Sequence, residues 1–231
     1  MALKIENEKI VGIIDNLEEK LSGKLPVTRE ELLFLANSWG RLGNFDAKAS
    51  NNQILMIDKC DSKECYDLSK LDTSKITDMS SIFRNSNFNG DISNWNTSNI
   101  TNMEWMFFKA EKFNSDISNW DTSNVTSMER MFSFAINFNQ SVNFDTSKVI
   151  SMLSMFYSAE KFNQPLNFDT SNVTDMSYMF RNTKSFNQPL NFNTSNVKKM
   201  ERIFAYSDNF NQPLNNWDVS KVTNMAGMFE S

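Results

Sequence analysis

A single unit of about 24 residues, copied along most of the chain, constrains the fold more than any other feature. The copies open LDTSKITDMSSIF at Leu71, WNTSNITNMEWMF at Trp95, WDTSNVTSMERMF at Trp120 and FDTSKVISMLSMF at Phe144. FDTSNVTDMSYMF at Phe168, FNTSNVKKMERIF at Phe192 and an incomplete WDVSKVTNMAGMF at Trp217 complete six full copies and one partial copy. A second phrase separates them, running from FNGDISN through FNSDISN and FNQSVN to FNQPLN. A unit this short cannot bury its own apolar face, so the copies must stack and share one core.

The repeat explains an odd composition. Sixteen of the 20 Phe and twelve of the 14 Met fall in repeat columns, so the excess is one core unit copied about seven times. Val or Ile (Ile76 to Val222), Met (Met79 to Met225), a second Met or Ile (Met106, Ile203) and Phe (Phe83 to Phe229) recur at offsets i, i+3, i+6 and i+7. Those offsets describe one face of a short helix, and the preceding D-T-S-N phrase suits its turn and N-cap. In FNQPLNFD the period-two pair Leu166 and Phe168 predicts a short strand or an extended coil edge, with Pro165, Pro189 and Pro213 near its start. The expected architecture is therefore an α/β solenoid with one short strand and one short helix per repeat.

Six Asn at one site of the unit, Asn89, Asn114, Asn139, Asn163, Asn187 and Asn211, predict a ladder of amides tying adjacent coils. Asp or Asn also opens every copy (Asp72, Asn96, Asp121, Asp145, Asp169, Asn193, Asp218), but one carboxylate per coil is a poor calcium site. No metal or cofactor is expected. The chain has no His, which removes His-based triads and general bases, and only six Gly, with no phosphate-cradling motif among them. Two S-x-x-K matches, Ser158 to Lys161 and Ser195 to Lys198, occupy different phases of the repeat and lack companion motifs. A net charge of −5 offers no basic footprint for nucleic acid. Together these features predict a protein that is not an enzyme.

Residues 1–50 stand outside the repeat and predict a helical N-terminal cap. Ile10, Ile13, Ile14, Leu17 and Leu21 form one helical stripe ending at Ser22-Gly23. Thr28 to Glu31 reads as a capping box opening a second helix through Leu32, Leu35 and Trp39 to Gly40. Residues 51–70 then supply opening strands, from Gln53–Asp58 and Tyr66–Leu68, and 71–231 the solenoid. Cys60 and Cys65 read as two reduced thiols, a small disulfide loop being the alternative. No leader or membrane span is evident in the first residues, which points to the cytoplasm.

The pair of phrases W/F-D-T-S-N-V-T-x-M-x-x-M-F and F-N-Q-P-L-N over residues 71–231 resembles the BspA-like leucine-rich-repeat surface proteins, in a subgroup built on a bacterial domain of unknown function. The resemblance implies a right-handed leucine-rich-repeat-like solenoid that binds or adheres to a protein or host-surface ligand, with no catalytic site. It also implies the cell surface or the medium as the address. An intracellular structural or regulatory protein-binding solenoid is the competing reading.

Framework and variation separate within the unit. The large residues not spent on the core are Trp105, Phe108, Arg130, Phe134, Tyr157, Tyr178, Arg181, Arg202 and Tyr206, types that anchor protein interfaces. Helical spacing would set Trp105 beside Phe108 and Arg130 beside Phe134; packing between neighbouring coils is the alternative use for them. At the other extreme, Met225, Met228 and Phe229 would leave an apolar end, to be covered by a longer array or by an end-to-end homodimer.

Overall fold

The computed structural model describes residues 3–6, 9–12, 16–37 and 67–231, the last two ranges with their side chains except at Leu17 and Asn37. Gln53–Asp58, Cys60, Cys65, Tyr66, Trp39, Gly40, Ile13 and Ile14 lie outside the described residues. Strands β1 (Leu3–Glu6) and β2 (Lys9–Gly12) pair antiparallel, Leu3 opposite Gly12. The expected first helix is thus shorter than its apolar stripe: Ile10 belongs to β2, and α1 covers only Leu17–Leu21. The run KIVG favours extended backbone through its β-branched pair, and Gly12 breaks the helical pattern.

Helix α1 ends where expected. Gly23 takes φ 76, and Lys24 N–H returns to the Glu19 carbonyl at 2.9 Å. A Cβ at Gly23 would lie 2.4 Å from the Lys70 carbonyl oxygen, so glycine is required by contact as well as by φ. Helix α2 (Arg29–Asn37) is opened by the capping box: Thr28 N–H donates to Glu31 Oε2 at 2.9 Å, and Glu31 N–H to Thr28 Oγ1 at 3.3 Å. Val27 N–H donates to the Asp72 carbonyl at 3.0 Å, and Arg29 Nη2 to the Ser80 carbonyl at 2.8 Å. Val27, Leu32, Leu35 and Ala36 are buried in the same core as the repeats, so this segment covers the first coil.

From Leu71 the copies stack coil upon coil, joined by parallel bridges running Asp78 to Asn102, Ser127, Ser151, Asp175, Lys199 and Asn224. The expected helix in each copy is replaced by a chain of tight turns. Ile82, Arg84 and Ser86 N–H groups donate to carbonyls three residues back, while Met79, Ser81, Phe83 and Asn85 N–H groups donate to Asn102, Glu104, Met106 and Phe108 of the next coil. A left-handed residue recurs at two places per coil, as at Ser81 and Asn85 with φ 59 and 56. An α-helix spends its interior N–H groups internally; here alternate ones are spent on the neighbour, which locks coil to coil.

The apolar columns pay for that choice. Phe83, Phe107, Phe132, Phe156, Phe180 and Phe204 stack on one another with centroids 5.5–5.8 Å apart. A second Phe column, Phe88 to Phe210, stacks against the first at 3.8–4.4 Å within each coil. These rings form a continuous core from end to end, with Met columns buried beside them.

The FNQPLN phrase is not a ladder strand either. Its copies are tied by side chains: Asn114, Asn139, Asn163, Asn187 and Asn211 N–H groups each donate to the Oδ1 of the Asn one coil earlier, at 2.7–2.9 Å. The amide ladder is present, and it supplies acceptors beside prolines that have no N–H to donate. A second clasp was not foreseen: buried Thr73, Thr122, Thr146, Thr170 and Thr194 donate Oγ1–H to the next coil's carbonyl at 2.9–3.0 Å. Asn139→Ala orphans Asn163 N–H and the Gln164 amide together. Urea unfolding is expected to show a loss of about 1–2 kcal/mol. Asn139→Asp, which keeps the acceptor oxygen, is expected to lose less than half as much; equal losses would remove the ladder as the cause.

At the last coil Val219, Met225 and Phe229 are 47%, 43% and 61% exposed.

Candidate interaction ribbon

The residues singled out for recognition fall in three adjacent columns of the turn segment. One holds Ser81, Trp105, Arg130, Ser154, Tyr178 and Arg202; the next Arg84, Phe108, Tyr157 and Arg181; the third Asn85, Lys109, Phe134, Ser158, Asn182 and Tyr206. The first and third columns are left-handed throughout. Asn or Gly, as at Asn85, Asn182 and Gly227, adopt that conformation cheaply, whereas Trp105 (φ 58), Phe134 (φ 59) and Tyr178 (φ 59) bear a steric cost. The turn geometry turns these side chains away from the Met and Phe stacks, leaving them half-buried, with Tyr206 at 36% exposure.

They meet across coils rather than along one helix. Trp105 and Phe108 do lie together, centroids 4.7 Å apart, through the turn in which Phe108 N–H donates to the Trp105 carbonyl. Arg130 is placed otherwise than helical spacing implied: its guanidinium lies 4.4 Å from the Trp105 ring of the preceding coil. Phe134 packs between Phe108 at 5.6 Å and Tyr157 at 4.8 Å. The reason is the turn path, whose N–H groups bond to carbonyls of the next coil and so set equivalent positions of successive coils side by side. Arg181 sits over Tyr157, Tyr178 and Tyr206 at 5.3–5.9 Å. The result is one aromatic–cation ribbon crossing six coils.

Four members escaped the sequence reading: Arg84, Lys109, Glu201 and Glu230. Arg84 lies 4.8 Å from the Trp105 ring, and Lys109 sits 5.5 Å and 5.6 Å from Phe108 and Phe134. Their signal was column membership, Arg84 aligning with Phe108 and Lys109 with Phe134. At the C-terminal side, Arg202 Nε and Tyr206 Oη both donate to Glu230 at 2.7 Å, and Tyr178 Oη donates to Glu201. The Tyr206 and Arg202 bonds hold the Glu230 carboxyl below its ordinary range, while the bonds to Glu201 and Glu230 raise the Tyr178 and Tyr206 phenols.

The remaining motifs are occupied differently. Ser158 Oγ accepts from Asn182, Lys161 donates to Asn137, and Ser195 Oγ donates to Asn193. The Asp column closes Asx turns, as in Ser123 N–H to Asp121 Oδ1 at 3.0 Å, and among the described residues no cluster of three metal-ligating side chains forms. No described helix is long and apolar enough to cross a membrane.

Residues 51–167 and 142–231 match the family described as Mycoplasma protein of unknown function, DUF285. The chain belongs to this family. DUF285 is a repeat family to which the BspA-like proteins are related. Its two overlapping matches span every copy of the repeat and reach back to residue 51, ahead of the first copy at Leu71. No curated protein and no solved structure matches the chain.

Proposed function

We propose that this DUF285 chain is a non-catalytic protein-interaction module whose binding face is the ribbon. The observation that carries this reading is the occupancy of left-handed positions. Trp105, Arg130, Phe134, Tyr178, Arg202 and Tyr206 sit where glycine or asparagine would be cheaper by about 1–2 kcal/mol each. Local strain of this kind gathers at functional sites, and Trp, Tyr and Arg are the strongest interface anchors. The rest of the array is nearly invariant from coil to coil, so the ribbon is its main individual surface. The kinship with BspA-like proteins supports a surface or host ligand as the partner.

The decisive test replaces Trp105, Tyr178 and Tyr206 with glycine, which relieves φ while deleting the rings. The variant is expected to stay folded by circular dichroism and to lose at least about tenfold in recovery of the partners that the wild-type chain captures. Unchanged recovery from a folded variant sinks the reading.

A further inference from the structure

The ribbon's two halves differ in charge, and we infer that its N-terminal half docks an acidic, aromatic-bearing polypeptide segment. This rests on the ribbon being the binding face. In the C-terminal half Arg202 pairs with Glu230 at 2.7 Å, while Arg181 lies over Tyr157, Tyr178 and Tyr206 without an ion pair among the described residues. In the N-terminal half, Arg84, Lys109 and Arg130 pair with no carboxylate among the described residues. They lie instead against Trp105, Phe108 and Phe134. The nearby Glu104 carboxylate accepts from Ser127 Oγ at 2.6 Å, Glu129 of the same column forms no ion pair among the described residues, and Arg84 Nε, like Arg181 Nε, is sealed from solvent without a hydrogen-bond partner.

Three cations on one patch without an ion pair among the described residues stand out in a chain whose net charge is −5. Each is held by a ring face, which fixes its position while leaving its charge available. Carboxylates spaced along a partner would pair with these cations, and apolar or aromatic side chains between them would meet the half-buried ring edges. A long polyanion fits less well, because nucleic acid needs an extended basic surface and the overall negative charge repels it.

The test uses a short fluorescein-labelled peptide alternating Glu and Phe, titrated by anisotropy at low and at about 0.15 M ionic strength. Wild type is expected to bind it, more weakly at the higher salt. Arg84→Gln/Lys109→Gln/Arg130→Gln is expected to lose about tenfold in affinity. Lys75→Gln/Lys148→Gln/Lys221→Gln, which removes equal charge from exposed positions off the ribbon, is expected to lose less than about twofold. Equal behaviour of the two triples overturns the inference, as does no binding, or tighter binding of a heparin oligosaccharide or a single-stranded oligonucleotide. If captured partners are lost with the ring-to-glycine variant but kept by the Arg84/Lys109/Arg130 variant, the ribbon stands and the acidic segment falls. If both variants keep them, both readings fall.

Discussion

Phe132→Ala is expected to lower the unfolding free energy by about 3–5 kcal/mol, the largest effect of any single substitution considered. Phe132 is fully buried in the middle of the stack, 5.6 Å from Phe107, 5.5 Å from Phe156 and 4.1 Å from Phe138. Truncation removes ring contacts with two neighbouring coils as well as its own, and stability in a stacked array is a sum of coil and interface terms. A loss of this size is a large share of the roughly 5–15 kcal/mol that holds an ordinary domain together. Phe229 occupies the same column but is 61% exposed and stacks on Phe204 alone. Phe229→Ala is therefore expected to cost under about 1 kcal/mol. Urea unfolding followed by circular dichroism separates the two, and comparable losses at both positions would contradict a shared, centrally buried core.

Acid is expected to unfold the array cooperatively, through its Asx turns. The carboxyls of Asp72, Asp121, Asp145 and Asp169 are held below their ordinary value of 3.8 by the Ser hydroxyl two residues on, and then by that Ser's N–H. For Asp91, Asp116 and Asp218 the N–H contributes more than the hydroxyl. A carboxyl whose folded pKa is depressed stabilises the fold fully above its unfolded pKa, and that contribution disappears as pH falls through the folded value. The urea midpoint should therefore be level between about pH 7 and pH 5 and fall steeply from about pH 4 downward. Each turn is largely exposed and contributes little alone; the effect comes from these seven Asx turns, and an eighth at Asp67, acting in one cooperative stack. Asp121→Asn/Asp145→Asn/Asp169→Asn is expected to flatten the acid limb with little change at pH 7. Asn already closes the same turn at Asn96 and Asn193, where Ser98 and Ser195 N–H groups donate at 3.1 Å. A triple variant with an unchanged acid limb would place the proton uptake elsewhere.

Much of the N-terminal segment was legible locally, because caps are short-range chemistry. The Thr28–Glu31 box and the Gly23 stop each depend on groups a few residues apart, and both are where the pattern put them. The stripe from Ile10 to Leu21 misled, since apolar spacing alone does not report a strand pair that claims Ile10 first. The ribbon was half legible. Its aromatic members stood out as large residues outside the core columns, whereas Arg84 and Lys109 looked like ordinary solvated charges until Trp105 and Phe134 were placed beside them.

The period, the core columns and the amide ladder are legible in the residues alone, because each is a matter of identical residues meeting at one repeat spacing. The path of the backbone between Met79 and Phe83, and at its six equivalents, depends on contacts between coils. Offsets of three and four are shared by a helix and by a run of tight turns, so side-chain pattern cannot separate them. What separates them is the partner of the alternate N–H groups, a carbonyl 23 or 24 residues away in the next coil, as in Met79 to Asn102 and Met103 to Ser127. That long-range choice also made the left-handed positions, and with them the surface that carries the large residues varying from coil to coil.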